Sequence, residues 1–136
     1  MAYFLAKTDP DTYTVDQLEK DGRTSWDGVS NAQAVRAIRS MQPGDMVFVY
    51  HSGGESAIVG LMKVTSAPRD DARNPKSAVV DVEFTRRLAP PTTLAEIKQS
   101  NLFADWSLVR QSRLSTMAAP EAFVDWMRKR YPDTEI

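Results

Sequence analysis

Cysteine is absent from this chain of 136 residues. Disulfides, thiolate nucleophiles and thiolate metal sites are excluded together, and the composition fits a reducing compartment, with the cytoplasm the expected location. Histidine occurs once, at His51. A zinc site needs further nitrogen or sulfur ligands, so no metal is expected, and Asp9, Asp11 and Asp16 read as turn and helix-start residues. Phosphate-loop fingerprints are missing as well. The adjacent glycines Gly53 and Gly54 lack the lysine and spacing that cradle a triphosphate, so no nucleotide cofactor is expected. No G-x-S-x-G elbow is present, and His51 and Ser52, as neighbours along a strand, point to opposite faces.

Long apolar runs are lacking too. The stretch from Ala2 to Ala6 is too short for a signal-peptide core and nothing reaches membrane-spanning length, so no membrane partner is expected. Charge of one sign is in equally short supply: 17 basic and 18 acidic residues leave a net charge of -1. No global positive field gathers phosphates, and any affinity for nucleic acid must come from local patches.

What is present is apolar residues, 42% of the chain, in amounts that bury a core. The length suits one domain over residues 1–136, with a monomer the expected state. Repeats, low-complexity tracts and linkers are not found. The aromatic run Tyr3-Phe4-Leu5 places a buried strand over Ala2–Lys7, ended by Asp9-Pro10. Thr14 reads as a helix cap, with Gln17 completing a capping box, Val15 and Leu18 buried, and an end near Gly22. After a turn at Trp26-Asp27-Gly28, Asn31 caps a second helix with Ala34, Ile38 and Met41 facing inward. Met46–Tyr50 and Ala57–Val64 form an antiparallel hairpin across Gly53-Gly54. Pro68–Lys76 reads as a surface loop and Ala78–Leu88 as a strand broken by Pro90-Pro91. Thr93 then caps a short helix, and a final amphipathic helix from about Pro120 carries Phe123, Met127 and Tyr131. Strands separated by helices suggest a mixed α/β (α+β) fold, a barrel-like sheet flanked by helices.

Three positions stand out chemically. His51 lies where a buried strand emerges into a turn, a placement that suits a pocket mouth. Its imidazole there is a proton shuttle, a base-edge hydrogen-bonding group or a single metal ligand, or else simply a bonded strand-end side chain. Trp26, between Ser25 and a turn, offers a flat face on which a base can stack, or else plugs the core. Asp27 beside it accepts from an exocyclic amine such as that of cytosine, and Asn31 offers both a donor and an acceptor. Their plainer roles are turn formation and helix capping. Trp106 and Trp126 read as packing residues, and the basic run Arg128-Lys129-Arg130 as solvated surface.

The segments FLAKTDP, SWDGVSNAQAV, GDMVFVYHS, VDVEF and LVRQSRLS, taken in order and spacing, resemble the EVE domain of the PUA-like superfamily. The likeness runs from about Ala2 to Ser115. It implies a PUA-like β-barrel with surrounding helices and a pocket that accepts a base extruded from DNA or RNA, with modified cytosines as ligands and no catalysis. The matching pocket positions are Lys7, Trp26, Asp27, Val29, Asn31, Tyr50, His51, Ser52, Arg113, Leu114 and Ser115. In this reading the base stacks on Trp26 or Tyr50, and Asp27, Asn31, His51 and Ser52 read its edge. Lys7 and Arg113 lie near a phosphate, and Val29 and Leu114 accommodate a methyl group. TDP stands where the family usually has S-E-P, Ala32 where it tends to have a larger residue, and Val35 where arginine is frequent. Two other classes compete: a small enzyme on a modified nucleoside with His51 and Asp27 as acid and base, and a protein-docking module using Arg128 to Arg130.

Overall fold

The dense apolar runs become the centre of a sheet and the polar segments its margins. The computed structural model describes residues 1–136. Its strands are β1 (Tyr3–Thr8), β2 (Arg23–Trp26), β3 (Met46–His51), β4 (Ala57–Val64), β5 (Arg69–Asp71), β6 (Asn74–Thr93) and β7 (Thr116–Ala118). Its helices are α1 (Val15–Asp21), α2 (Ala32–Arg39), α3 (Leu94–Gln99), α4 (Ser107–Arg110) and α5 (Glu121–Arg130). The strand order is β2-β6-β4-β3-β1-β7, with β5 on β6. β1 and β3 run parallel, with Lys7 opposite Tyr50 and Thr8 opposite His51. The other pairings are antiparallel. A mixed α/β fold results.

The central strands bury almost every residue, which is why β3 and β4 read as continuous apolar runs. Below the sheet, Phe123 of α5 is wholly enclosed. It packs against Phe48, Phe103 and Trp106 at ring-centroid distances of 5.5, 5.2 and 4.5 Å. These spacings suit offset and edge-to-face aromatic contact. Trp106 donates its indole N–H to Ala118 O at 2.9 Å, and Trp126 stacks near Phe123, so both serve packing as the sequence suggests. At Gly60 of β4 an added Cβ would lie 3.1 Å from both Arg86 O and the Val15 side chain. A glycine there lets α1 settle directly on the sheet.

Three local expectations need correction. Pro90-Pro91 does not end β6, which continues to Thr93. Its pairing with β4 jumps from Gly60↔Arg87 to Ile58↔Thr92, so the prolines fall in the irregular stretch where the ladder needs no donor from them. The segment from Pro68 to Lys76 is not an unstructured loop: Arg69–Asp71 pairs back on Asn74–Val79 as a small hairpin. Its exposed, charged residues carry no apolar alternation to reveal it. Finally, the capping box of α1 is only half made. Thr14 Oγ1 accepts from Gln17 N at 3.0 Å, but the Gln17 amide turns down the helix to Asp21 at 2.7 Å. The full box occurs instead at Thr93 and Glu96, ahead of α3. No helix is long and apolar enough to cross a membrane.

Candidate functional site

β2 and the β1/β7 pair stand at opposite ends of the hydrogen-bonded path, yet residues from both line one cavity of about 400 Å³. The sheet therefore curls until its two ends face each other, and the gap between them is the cavity. β1 contributes Lys7 and Thr8, the turn that follows contributes Thr12 and Tyr13, β2 contributes Thr24, Ser25 and Trp26, and the next turn contributes Asp27, Gly28 and Val29. Ser115, just ahead of β7, completes the lining. Gly28 makes the turn possible, because its φ of 77° lies in the left-handed region that side chains disfavour.

The walls are aromatic. Trp26 is 8% exposed, so one part of its ring is held by the core. Tyr13 meets it edge-on, with centroids 6.3 Å apart and planes at 79°. The Tyr13 hydroxyl donates to Asp21 Oδ2 at 2.8 Å, and its carbonyl accepts from Thr8 Oγ1 at 2.9 Å. Partial burial, aided by the Asp21 carboxylate, pushes this phenol up to about 12. It stays a neutral donor at any working pH.

The polar groups differ in how free they are. Lys7 is partly buried and its Nζ donates to Ser112 O at 3.0 Å, 5.4 Å from the Tyr50 ring centroid. Burial lowers its pKa, which leaves a cation whose solvation is incomplete and which gains from an added anionic partner. Its amide donates to Ser115 O at 2.8 Å, tying β1 to the segment before β7. The exposed Asp27 carboxylate stands at the rim with no hydrogen bond of its own to the protein. Val29 is buried beside it, and its carbonyl accepts from Ser77 Oγ.

Of the eleven positions implied by the motifs, the cavity gathers Lys7, Trp26, Asp27, Val29 and Ser115. The other six lie outside its lining. Asn31 caps α2, its Oδ1 accepting from Gln33 N at 2.9 Å and Ala34 N at 3.1 Å. Tyr50 is 2% exposed and stands behind Lys7. Leu114 is buried, and Arg113 is exposed. Ser52 donates its amide to Thr8 O at 3.0 Å. His51 Nε2 accepts the Val15 amide at 3.0 Å, which satisfies the first free N–H of α1. With Nε2 an acceptor, the ring is neutral and carries its proton on Nδ1. Burial keeps its pKa below the ordinary 6.5. The imidazole thus fixes where α1 starts, and so where the preceding Tyr13 stands.

Sequence reasoning missed Thr8, Thr12, Tyr13, Thr24, Ser25 and Gly28 as lining residues. The available signal was position: Tyr13 follows the TDP turn that closes β1, and Thr24 and Ser25 directly precede Trp26.

A curled mixed sheet flanked by helices, with a cavity where its ends face each other, is the PUA-like architecture. A family model for the EVE domain matches residues 2–130, and the chain belongs to that family. Human Thymocyte nuclear protein 1 is 30% identical, over 71% of this chain and 56% of that protein. The chain spans about half the length of the curated relatives it matches. Among solved structures, Rpa0253 from Rhodopseudomonas palustris superposes with a TM-score of 0.90 at 30% identity, covering 100% of this chain and 97% of the other. Human THYN1 protein in complex with 5-methylcytosine containing DNA superposes with a TM-score of 0.87 at 25% identity, covering 100% of both chains.

Proposed function

We propose that this EVE domain holds an extruded, modified base, with 5-methylcytosine the leading candidate, in the cavity between Trp26 and Tyr13 and performs no chemistry on it. The observation that carries the reading is the cavity itself. It sets two aromatic rings, an unpartnered carboxylate and an under-solvated lysine around about 400 Å³, within the roughly 300 to 1,000 Å³ usual for small-ligand sites. The similarity to human THYN1 protein, whose structure contains 5-methylcytosine DNA, supports the same choice of ligand.

In this reading the base stacks on the free part of the Trp26 ring. Asp27, an acceptor only, selects bases that carry an exocyclic amine over those that present a carbonyl there. Val29 faces the methyl group. Lys7 and Arg113 meet the backbone phosphates at the rim. Asn31, Tyr50, His51, Ser52 and Leu114 act from behind, by holding helix starts, strand ends and the lysine in place. The partner is DNA or RNA. Location is part of the same proposal, the cytoplasm on composition and the nucleus on the name of the curated relatives.

The two competing classes lose support for specific reasons. An acid–base pair of His51 and Asp27 needs a free imidazole nitrogen in the cavity, whereas Nε2 is engaged with Val15 N–H and His51 is not in the lining. A docking role for the basic run needs free cations. Arg128 is instead engaged with Asp125, Tyr3 and Ile136, and Arg130 with Glu96 and Thr92, which leaves Lys129 as the single unpaired cation of the run.

Extrusion costs a few kcal/mol and one aromatic stack returns about 1 to 3 kcal/mol, so binding to intact duplex is weak and salt-sensitive. A buried methyl contributes about 0.8 kcal/mol, which predicts that a single-stranded oligonucleotide with one 5-methylcytosine binds roughly fourfold tighter than its unmodified twin. Fluorescence-anisotropy titration of the two checks this. Equal affinities remove methyl recognition, and no binding of either removes the base-pocket reading.

A further inference from the structure

β2 has only one strand neighbour, β6, and a second cleft of about 440 Å³ lies over their paired residues and reaches the end of β4. This cleft is lined by Arg23, Thr24, Ser25, Thr65, Asp81 and Val82. Thr24 and Ser25 belong to both linings, so a wall two residues long separates it from the Trp26 cavity. Strand residues advance about 3.3 Å each, so the two clefts lie within about 7 Å of one another along β2. A ligand in one cleft thus has its next unit within reach of the other.

The chemistry of the second cleft is that of a hydroxyl reader. Its formal charges cancel locally: Arg23 pairs with Glu83 at 3.1 Å, and Arg69 with Asp81 at 2.9 Å. No cation is left over to hold a phosphate. Ser25 Oγ donates to Asp81 Oδ1 at 2.8 Å, the same oxygen that takes the Arg69 guanidinium. The second carboxylate oxygen makes no hydrogen bond within the protein and is available as an acceptor. The Arg69 and Ser25 donors hold this carboxyl below its ordinary range, so it stays an acceptor throughout neutral pH. Thr65 adds a hydroxyl that both donates and accepts, whereas the Thr24 hydroxyl is turned toward Tyr13. A cleft with a fixed acceptor, flanking hydroxyls and no spare positive charge suits a neutral polyhydroxyl group better than a phosphate.

We infer that the cleft bounded by Ser25, Thr65 and Asp81 takes the sugar of the nucleotide next to the extruded base and favours a ribose, whose 2′-hydroxyl donates to the free Asp81 oxygen. A deoxyribose offers no such donor, which makes the cleft an RNA-selective subsite beside a base-selective one. The inference rests on the base-pocket reading above.

The test uses single-stranded oligonucleotides with one 5-methylcytosine: one entirely deoxy, and two with a single ribonucleotide on the 5′ or the 3′ side. One of the ribonucleotide probes binds the native protein about threefold to tenfold tighter than the all-deoxy probe, the net effect of one hydrogen bond at a partly exposed site. D81N, with its folding checked by circular dichroism, and T65V, an exposed position outside the core, each reduce that gain while leaving affinity for the all-deoxy probe unchanged. Equal affinity for all three methylated probes, with discrimination against unmodified cytosine retained, overturns the sugar inference and leaves the base reading standing. A ribose gain that survives in both variants, or a D81N loss equal for every probe, also overturns it. Failure to bind any probe removes both readings together.

Discussion

Replacing Trp26 by leucine weakens binding of an oligonucleotide carrying 5-methylcytosine by roughly five- to 150-fold, the equivalent of the about 1 to 3 kcal/mol that one base–aromatic stack contributes. Leucine is the informative substitute, because Trp26 is 8% exposed and an alanine would open a void costing about 3 to 5 kcal/mol of stability. W26F keeps a smaller aromatic face and recovers part of the affinity. Anisotropy titration of the three proteins, each matched for thermal unfolding, separates lost stacking from lost folding. Undiminished binding by W26L would place the base elsewhere.

Replacing His51 by alanine destabilises the fold by about 1 to 3 kcal/mol at pH 7.5, because the Val15 amide at the start of α1 loses its acceptor while partly buried. The pH dependence adds the signature of an imidazole held neutral in the fold. The folded-state pKa is below 6.5, so above that value the ring is neutral in both states and titration contributes nothing. As pH falls through 6.5 the unfolded chain takes up a proton before the folded one, and stability declines until the folded-state pKa is passed. Protonation also turns Nε2 into a donor facing the Val15 N–H. Urea unfolding of the native protein between pH 7.5 and 5.5 therefore shows a loss of stability that His51→Gln lacks. Parallel pH profiles for the two proteins would remove the neutral-acceptor role.

His51 illustrates how far the sequence could be read. Its place at a strand end was legible, since Val47 to Tyr50 is a run that only a buried strand explains. Its partner was not, because Val15 is 36 residues away and the contact arises only when α1 settles on the sheet. The same division holds elsewhere. β4 spans Ala57–Val64 as its own pattern dictates, and Asn31 and Thr93 cap the helices their side chains suit. β2 escaped, because Arg-Thr-Ser-Trp has one buried residue and owes its extended form to pairing with β6. β7 and the single turn of α4 are too short to show a period. For the site, Trp26, Asp27, Val29, Lys7 and Ser115 came from motifs, whereas Tyr13 enters through an aromatic contact across 13 positions that no local pattern encodes.

The three tryptophans allow the central claim to be tested within one spectrum. Trp106 has its indole N–H bonded to Ala118 O, and Trp126 packs near Phe123, both away from the cavity lining. Titrating the ¹⁵N-labelled protein with a single-stranded oligonucleotide carrying 5-methylcytosine should shift the indole N–H resonance of Trp26 and leave those of Trp106 and Trp126 in place. A stationary Trp26 signal under saturating ligand, or a shift confined to either of the other two, would contradict the base-binding account.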